Sequence, residues 1–179
     1  GDLFGEPLVA NGHVYVATEA DTVYQLSATT GGIEWSTHLG TPVPSGQPPC
    51  GNIAPSVGVT GTPVIDTARN ELFVVAEEEV GGKPAHVLVG LNLTSGAVVL
   101  KEDVDPPGAA TAALLQRTGL TLSGGDVIFG YGGHYGDCST YHGWVMGVPE
   151  ADGAVDLIRA HDAAGLGHTH DPTVVGGAV

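Results

Sequence analysis

Four stretches of this chain can be laid over one another: PLVANGHVYVAT from Pro7, PVIDTARNELFVVAE from Pro63, LTLSGGDVIFGYG from Leu120 and PTVVGGAV from Pro172. Their starts lie 56, 57 and 52 residues apart. Each begins with a short apolar run, and the three that are long enough turn through Asn, Gly or Asp and enter a second apolar run. A period of this size is the mark of solenoids and propellers, whose units cannot bury their apolar faces alone. The first unit fills in as strands near 6–10, 13–19, 22–28 and 33–39, and the second as strands near 61–66, 71–78, 84–93 and 98–104. The third runs near 117–123, 126–132, 142–149 and 154–160. The turns between them are of the Gly, Asn and Asp kind that closes hairpins. Four antiparallel strands per unit make a propeller blade.

The second strand of each unit is apolar on both faces: Val14, Tyr15 and Val16; Leu72, Phe73, Val74 and Val75; Val127, Ile128 and Phe129. A strand wet on one side alternates with polar residues, so these are expected to be covered on both sides, as stacked blades would cover them. Composition agrees: apolar residues make up 42% of the chain and charged residues 14%, with 29 Gly and 12 Pro, which suits short strands and tight turns. No helical period appears; AATAALL at 109–115 is the one place for a helical turn, in a connection between units. The fold expected is all-β: a propeller of four-stranded antiparallel blades near 6–39, 61–104 and 117–160, with a further blade starting near 172. Three blades leave two apolar faces uncovered, and a closed ring needs at least about four. The whole of 1–179 is therefore expected to be part of an incomplete ring, with the remaining blades as its first partners. The opening GDLFGEPLV and the closing PTVVGGAV both read as cuts through a longer protein.

The formal net charge is −15, and the only strong cations are Arg69, Lys83, Lys101, Arg117 and Arg159. Nucleic-acid binding needs a basic face to neutralise phosphates, and none can be built here. The same deficit works against an anionic membrane surface, and no run of about 18 apolar residues is present to span a bilayer.

At DTVYQLSATTGGIEW (Asp21 to Trp35) the chain resembles the PQQ-like propeller repeat, on Tyr24, Leu26, Ala28, Thr29, Gly31 and Trp35. VGLNLTSGAVV is a weaker copy that keeps Leu91, Leu93, Thr94 and Gly96 without the Trp, and WVMGVPEADGAVDLI keeps the strand–turn–strand outline. The resemblance implies a ring of six to eight blades and an extracytoplasmic (secreted or periplasmic) setting. It embraces quinoprotein dehydrogenases and barrel-assembly scaffold lipoproteins alike. The dehydrogenases bind PQQ and calcium in the central channel and use an adjacent cysteine pair against the cofactor; the cysteines here, Cys50 and Cys138, are not adjacent.

Strand parity sorts the unusual residues. In an antiparallel blade the turn between the second and third strands points to the same face as the blade-to-blade connections. The loop 132–141 and the connections 40–60, 105–116 and 161–171 therefore share a face, with Cys50, His134, Asp137, Cys138, His168, His170 and Asp171 on it and His142 at its edge. The other turns ANG, TARN and SGG are short, so one face is elaborated and the opposite one trimmed. One long-looped face suits binding. The ligand-face candidates are His134, Asp137, His142, His168, His170 and Asp171. His134, Cys138 and His142 have side chains that suit zinc or copper, but their spacing of four aligns donors on a helix, and GGHYGDCSTYHG reads as an irregular loop. Cys50 and Cys138 are the candidate disulfide, joining two long loops with little core. Glu77, Glu78 and Glu79 are expected to be a solvated strand end rather than a calcium site and Trp144 a core anchor; Asn92-Leu93-Thr94 is a glycosylation sequon only if the source glycosylates, and chance in a bacterial chain. No phosphate loop, nucleophile elbow or His-Glu-x-x-His motif is present. The function expected is a non-catalytic propeller module of an exported bacterial-type protein, binding a protein or small ligand on its long-looped face. The alternative is part of a PQQ- and calcium-dependent dehydrogenase.

Overall fold

The computed structural model describes residues 1–48, 51–134 and 141–151. Blade 1 is a meander of β1 (Leu8–Ala10), β2 (His13–Thr18), β3 (Thr22–Ser27) and β4 (Ile33–His38), each strand antiparallel to the next. Blade 2 repeats it. A two-residue ribbon, β5 (Val43–Pro44) with β6 (Ser56–Val57), lies in the connection. Then follow β7 (Val64–Asp66), β8 (Glu71–Val80), β9 (Lys83–Asn92) and β10 (Val98–Asp103). Blade 3 contains β11 (Leu114–Gln116), β12 (Thr121–Ser123), β13 (Asp126–Gly133) and β14 (Trp144–Pro149). The expected strand at 154–160 and the blade start near 172 lie outside the described residues, and no helix among the described residues is long and apolar enough to cross a membrane.

Turn chemistry sets these meanders. Asn11 and Gly12 (φ 52° and 82°) join β1 to β2, and Gly124 and Gly125 (φ 67° and 93°) join β12 to β13. Positive φ at both central residues matches the turn to the twist of the strands it joins.

Two expectations change in detail. The first strand of blade 3, expected at 117–123, is split into β11 and β12, both along one side of β13. The cause is Thr118, whose hydroxyl accepts the Gly130 N–H at 2.8 Å and donates to the Gly130 carbonyl at 3.2 Å. A side chain thus fills the place of a backbone pair. The run at 109–115 gives one 3₁₀ turn at Thr111–Ala113, after which Leu114 and Leu115 leave as β11.

Of the apolar second strands, β2 and β13 leave Val14, Val16 and Ile128 only half-buried among the described residues, whereas β8 is covered on both sides. Its residues alternate between two separate cores. Leu72, Val74 and Ala76 pack with Tyr15, Ala17 and Val23 of blade 1, whereas Phe73 and Val75 pack with Val127, Phe129 and Met146 of blade 3. Trp35 fastens the first pair of blades: its indole N–H donates to the Leu93 carbonyl at 2.9 Å, beside Gln25 Nε2 at 3.0 Å on the same oxygen. The other face of blade 1 is bare. Val9 pairs with Val14, Val14 with Leu26 and Leu26 with Ile33, so one apolar row crosses all four strands. Val9 is 72% exposed and Ile33 63% exposed. The fold is thus a nearly all-β arc of stacked four-stranded blades.

Candidate functional site

The end of the arc that carries the blade-to-blade connections holds a buried seam of ionisable side chains. After β2 the chain turns through Glu19 and Asp21; β8 ends on Glu77, Glu78 and Glu79; β9 begins close to His86, directly across from Glu77 in register; and β13 runs out into His134. The acidic strand end of β8 was expected to be solvated and is not: Glu77 is 2% and Glu78 4% exposed. The connection after blade 1 folds back over it. The Glu77 N–H donates to the Gly58 carbonyl, and the Glu79 N–H donates to the Thr41 carbonyl at 2.7 Å. Nothing in the local pattern of EEE signals a cover that comes from residues twenty to forty positions earlier.

The seam is electrostatically uneven. Glu19 accepts the Gly58 N–H at 2.6 Å, and Gly58 is tightly held, because a Cβ there would press on Asp21 Oδ1 and the Glu19 carbonyl. Burial pushes the Glu19 carboxyl above its ordinary value. Asp21 is fully buried, makes no hydrogen bond through either oxygen, and is pushed up to about 9 by burial first and then by Glu78, Glu19 and Glu77, against the pull of Lys101. It is therefore a neutral acid at pH 7. Lys101 Nζ donates to Glu78 Oε2 at 3.0 Å and to the Leu39 carbonyl at 2.8 Å.

Between blades 2 and 3 the seam continues as a chain of imidazoles and carboxylates. His86 Nδ1 lies 2.8 Å from Asp105 Oδ1, which also accepts the His86 backbone N–H at 3.2 Å. Glu77 Oε2 stands 3.8 Å from His86 Nε2 and 3.7 Å from His134 Nε2. Tyr131 sets its ring against His86 with centroids 4.7 Å apart and donates its hydroxyl to the Val104 carbonyl. Burial, with Asp105, Asp103 and Glu77 nearby, raises that phenol well above its usual range.

Of the residues singled out in the sequence, His134 is described and buried, turned into this seam, and His142 is exposed. His142 lines a hollow with Tyr141, Trp144, Leu114 and the 108–110 stretch. The loop after β13 and the connection after β10 therefore meet on one face, as strand parity required. Trp144 packs against the second core and also lines the hollow, so it is anchor and wall together. Asp137, Cys138, Cys50, His168, His170 and Asp171 lie outside the described residues, and so does the disulfide expected between Cys50 and Cys138. The functional candidates that the sequence does not single out are Glu19, Asp21, His86 and Asp105. The pairing of β8 with β9 brings His86 across from Glu77, and nothing in the sequence marks the other three.

Calcium and PQQ, implied by the resemblance, find no fitted set among the described residues. No three His, Cys, Asp or Glu side chains there already surround a position that could hold a metal ion. The chain also has no adjacent cysteine pair.

Solved structures carry the same fold at low identity. Quinohemoprotein alcohol dehydrogenase from Comamonas testosteroni matches at a TM-score of 0.66 and 19% identity, over 86% of this chain and 20% of that one. BamB from Moraxella catarrhalis matches at a TM-score of 0.57 and 16% identity, over 88% of this chain and 39% of that one. A europium-containing methanol dehydrogenase matches at a TM-score of 0.60 and 19% identity, over 87% of this chain and 24% of that one. The chain thus spans well under half the length of each. No curated protein matches it. The family described as outer membrane protein assembly factor BamB matches residues 1–141. With blades, turns and the Trp35 fastening agreeing with that match, the chain belongs to this PQQ-like β-propeller repeat family.

Proposed function

We propose that the chain is a non-catalytic propeller module of an exported protein and that it binds a protein or small ligand on the face of its long connections. The observation that supports this best is the hollow on that face, where Tyr141 and His142 of one loop and Trp144 at the start of β14 meet the small residues of the 108–110 stretch. Aromatic walls with small residues opposite are what recognition surfaces are made of. The other face has tight two-residue turns at Asn11–Gly12 and Gly124–Gly125, with little to grip. The solved relatives include a protein titled BamB as well as dehydrogenases, so the family accommodates both readings. The family's description as an outer membrane protein assembly factor supports an extracytoplasmic setting.

The test is site-specific photocrosslinking in cells that produce the full-length protein. A crosslinker at Ala110 or His142 is expected to capture a discrete partner, and one at Asn11 or Gly124 none. Capture from the tight-turn face alone would refute the reading. So would dye-linked alcohol oxidation by the full-length protein loaded with PQQ and calcium, which would establish the dehydrogenase reading instead.

A further inference from the structure

We propose that the connection after blade 1 is a proton-locked strap: it lies closed over the acidic seam while Asp21 holds its proton, and it lifts as that proton is lost. The inference is independent of the ligand-face reading, since it holds whatever the hollow binds.

The strap has two described arms, 40–48 and 51–60, which pair at the β5–β6 ribbon. Each arm seats a glycine on a carboxyl. A Cβ at Gly58 would stand 2.6 Å from Asp21 Oδ1, and one at Gly40 would fall on the Glu78 carboxylate. Backbone that approaches this closely leaves no room for water over either group. Hydrogen bonds complete the seat. The Gly58 N–H donates to Glu19 Oε2 at 2.6 Å, the Ser56 hydroxyl to the Glu19 carbonyl at 2.8 Å, and the Val59 N–H to the Thr18 carbonyl at 3.2 Å. None of these bonds goes to the Asp21 side chain, whose two oxygens are buried with no hydrogen bond among the described residues. The strap thus covers that carboxyl without stabilising its charge, and a buried charge left unpaired is costly.

The charges around Asp21 suit it only while it is neutral. Glu77 and Glu78 face it from β8 and Glu19 from the turn after β2. Lys101 of β10 is the cation set against them, and its Nζ is committed to Glu78 and to the Leu39 carbonyl. Arg117 lies toward Glu19. Under the strap, burial and these carboxylates push Asp21 from 3.8 up to about 9; with the strap lifted, water returns the group toward its ordinary value. Between those two values the closed strap holds one proton more than the lifted one. Lifting therefore becomes easier as pH rises, by about tenfold per unit. The movement reaches blade 3, because Ile53 and Val57 of the second arm pack with Leu115 of β11. Leu114, the next residue along, is in the wall of the hollow, so a lifted strap loosens the ligand face.

The test is hydrogen exchange of the full-length protein from pH 5 to pH 8, read at the Gly58 and Val59 amides after correction for intrinsic exchange. In the wild type their protection should fall about tenfold per pH unit. It should also stay below that of amides in the middle of β9 throughout, as a strap that lifts by itself requires. In Asp21→Asn, which has no titrating proton, strap protection should not change with pH. Wild-type protection that is independent of pH overturns the proposal, and that measurement stands even if the variant fails to fold. A slope retained in Asp21→Asn overturns it by assigning the proton to another group. Equal protection at Gly58, Val59 and β9 overturns it too, because the strap would then open only with the whole chain.

Discussion

Replacing Asp21 with Asn is expected to stabilise the protein at neutral pH, by an amount that the burial of the carboxyl sets. In the folded chain the group is pushed from 3.8 up to about 9. A raised carboxyl favours folding fully only below its unfolded value near 3.8. That contribution is lost as pH climbs, until the folded group itself ionises near 9. At pH 7 the interval already crossed is just over three units, and at about 1.4 kcal/mol per unit the penalty comes to about 4 kcal/mol. Asn has the same shape and carries no proton to take up. It also tolerates the backbone, since Asp21 has φ 48°, in the left-handed region where Asn is enriched. Because Asp21 is wholly buried, solvent does little to reduce the effect, although the neighbouring carboxylates relax together. The measurement is urea unfolding of the full-length wild type and Asp21→Asn from pH 4 to pH 8. The two curves should coincide near pH 4 and diverge steadily, with the variant about 2–4 kcal/mol more stable at pH 7. A variant that is less stable at pH 7, or a difference that does not change with pH, would refute the reasoning. It would mean that Asp21 is ionised in the folded chain with Lys101 as its true counter-charge.

Other expectations follow from single contacts. Trp35→Phe removes the indole bond to the Leu93 carbonyl but keeps an aromatic ring, and should cost about 1 kcal/mol in urea unfolding. Phe73→Ala empties a site of zero exposure and should cost about 3–5 kcal/mol in the same assay. At Gly133 a Cβ would run into the ring of Tyr141, so Gly133→Ala should cost about 1–3 kcal/mol and alter near-ultraviolet dichroism. Ile33→Asp touches a residue 63% exposed among the described residues. In the full-length protein it should nonetheless lower the thermal midpoint by several degrees, because another blade is expected to cover that row.

The fold was legible because a propeller writes itself locally. Each blade is a run of hairpins, and one turn in each declares itself in Asn-Gly or Gly-Gly: Asn11–Gly12, Gly81–Gly82 and Gly124–Gly125. The apolar second strands carried one more expectation, burial on both sides, which β8 bears out in the alternation of Leu72, Val74 and Ala76 against Phe73 and Val75, while Val14, Val16 and Ile128 on the other two stay half-buried. The seam was not legible for the complementary reason. Whether Glu77 meets water depends on where residues 41–58 fall, and nothing near Glu77 encodes that. His86 is set by a pairing between strands, and Asp105 by a connection that closes over it. The split of blade 3's first strand depends on a single hydroxyl, that of Thr118, standing in for a peptide group. Parity did place the loop after β13 and the connection after β10 on one face. It could not say that His134 would turn inward while His142 stayed out.

The alternation along β8 also bears on how the arc comes apart. The strand belongs to two hydrophobic clusters at once, odd-numbered residues to one and even-numbered residues to the other. A slip or fracture in it strips both, so neither cluster can melt and leave its neighbour standing. The repeats look like beads on a thread, but their unfolding should be a single cooperative event with β8 as its hinge pin. Hydrogen exchange along that strand should then report one opening energy, common to residues that face opposite ways.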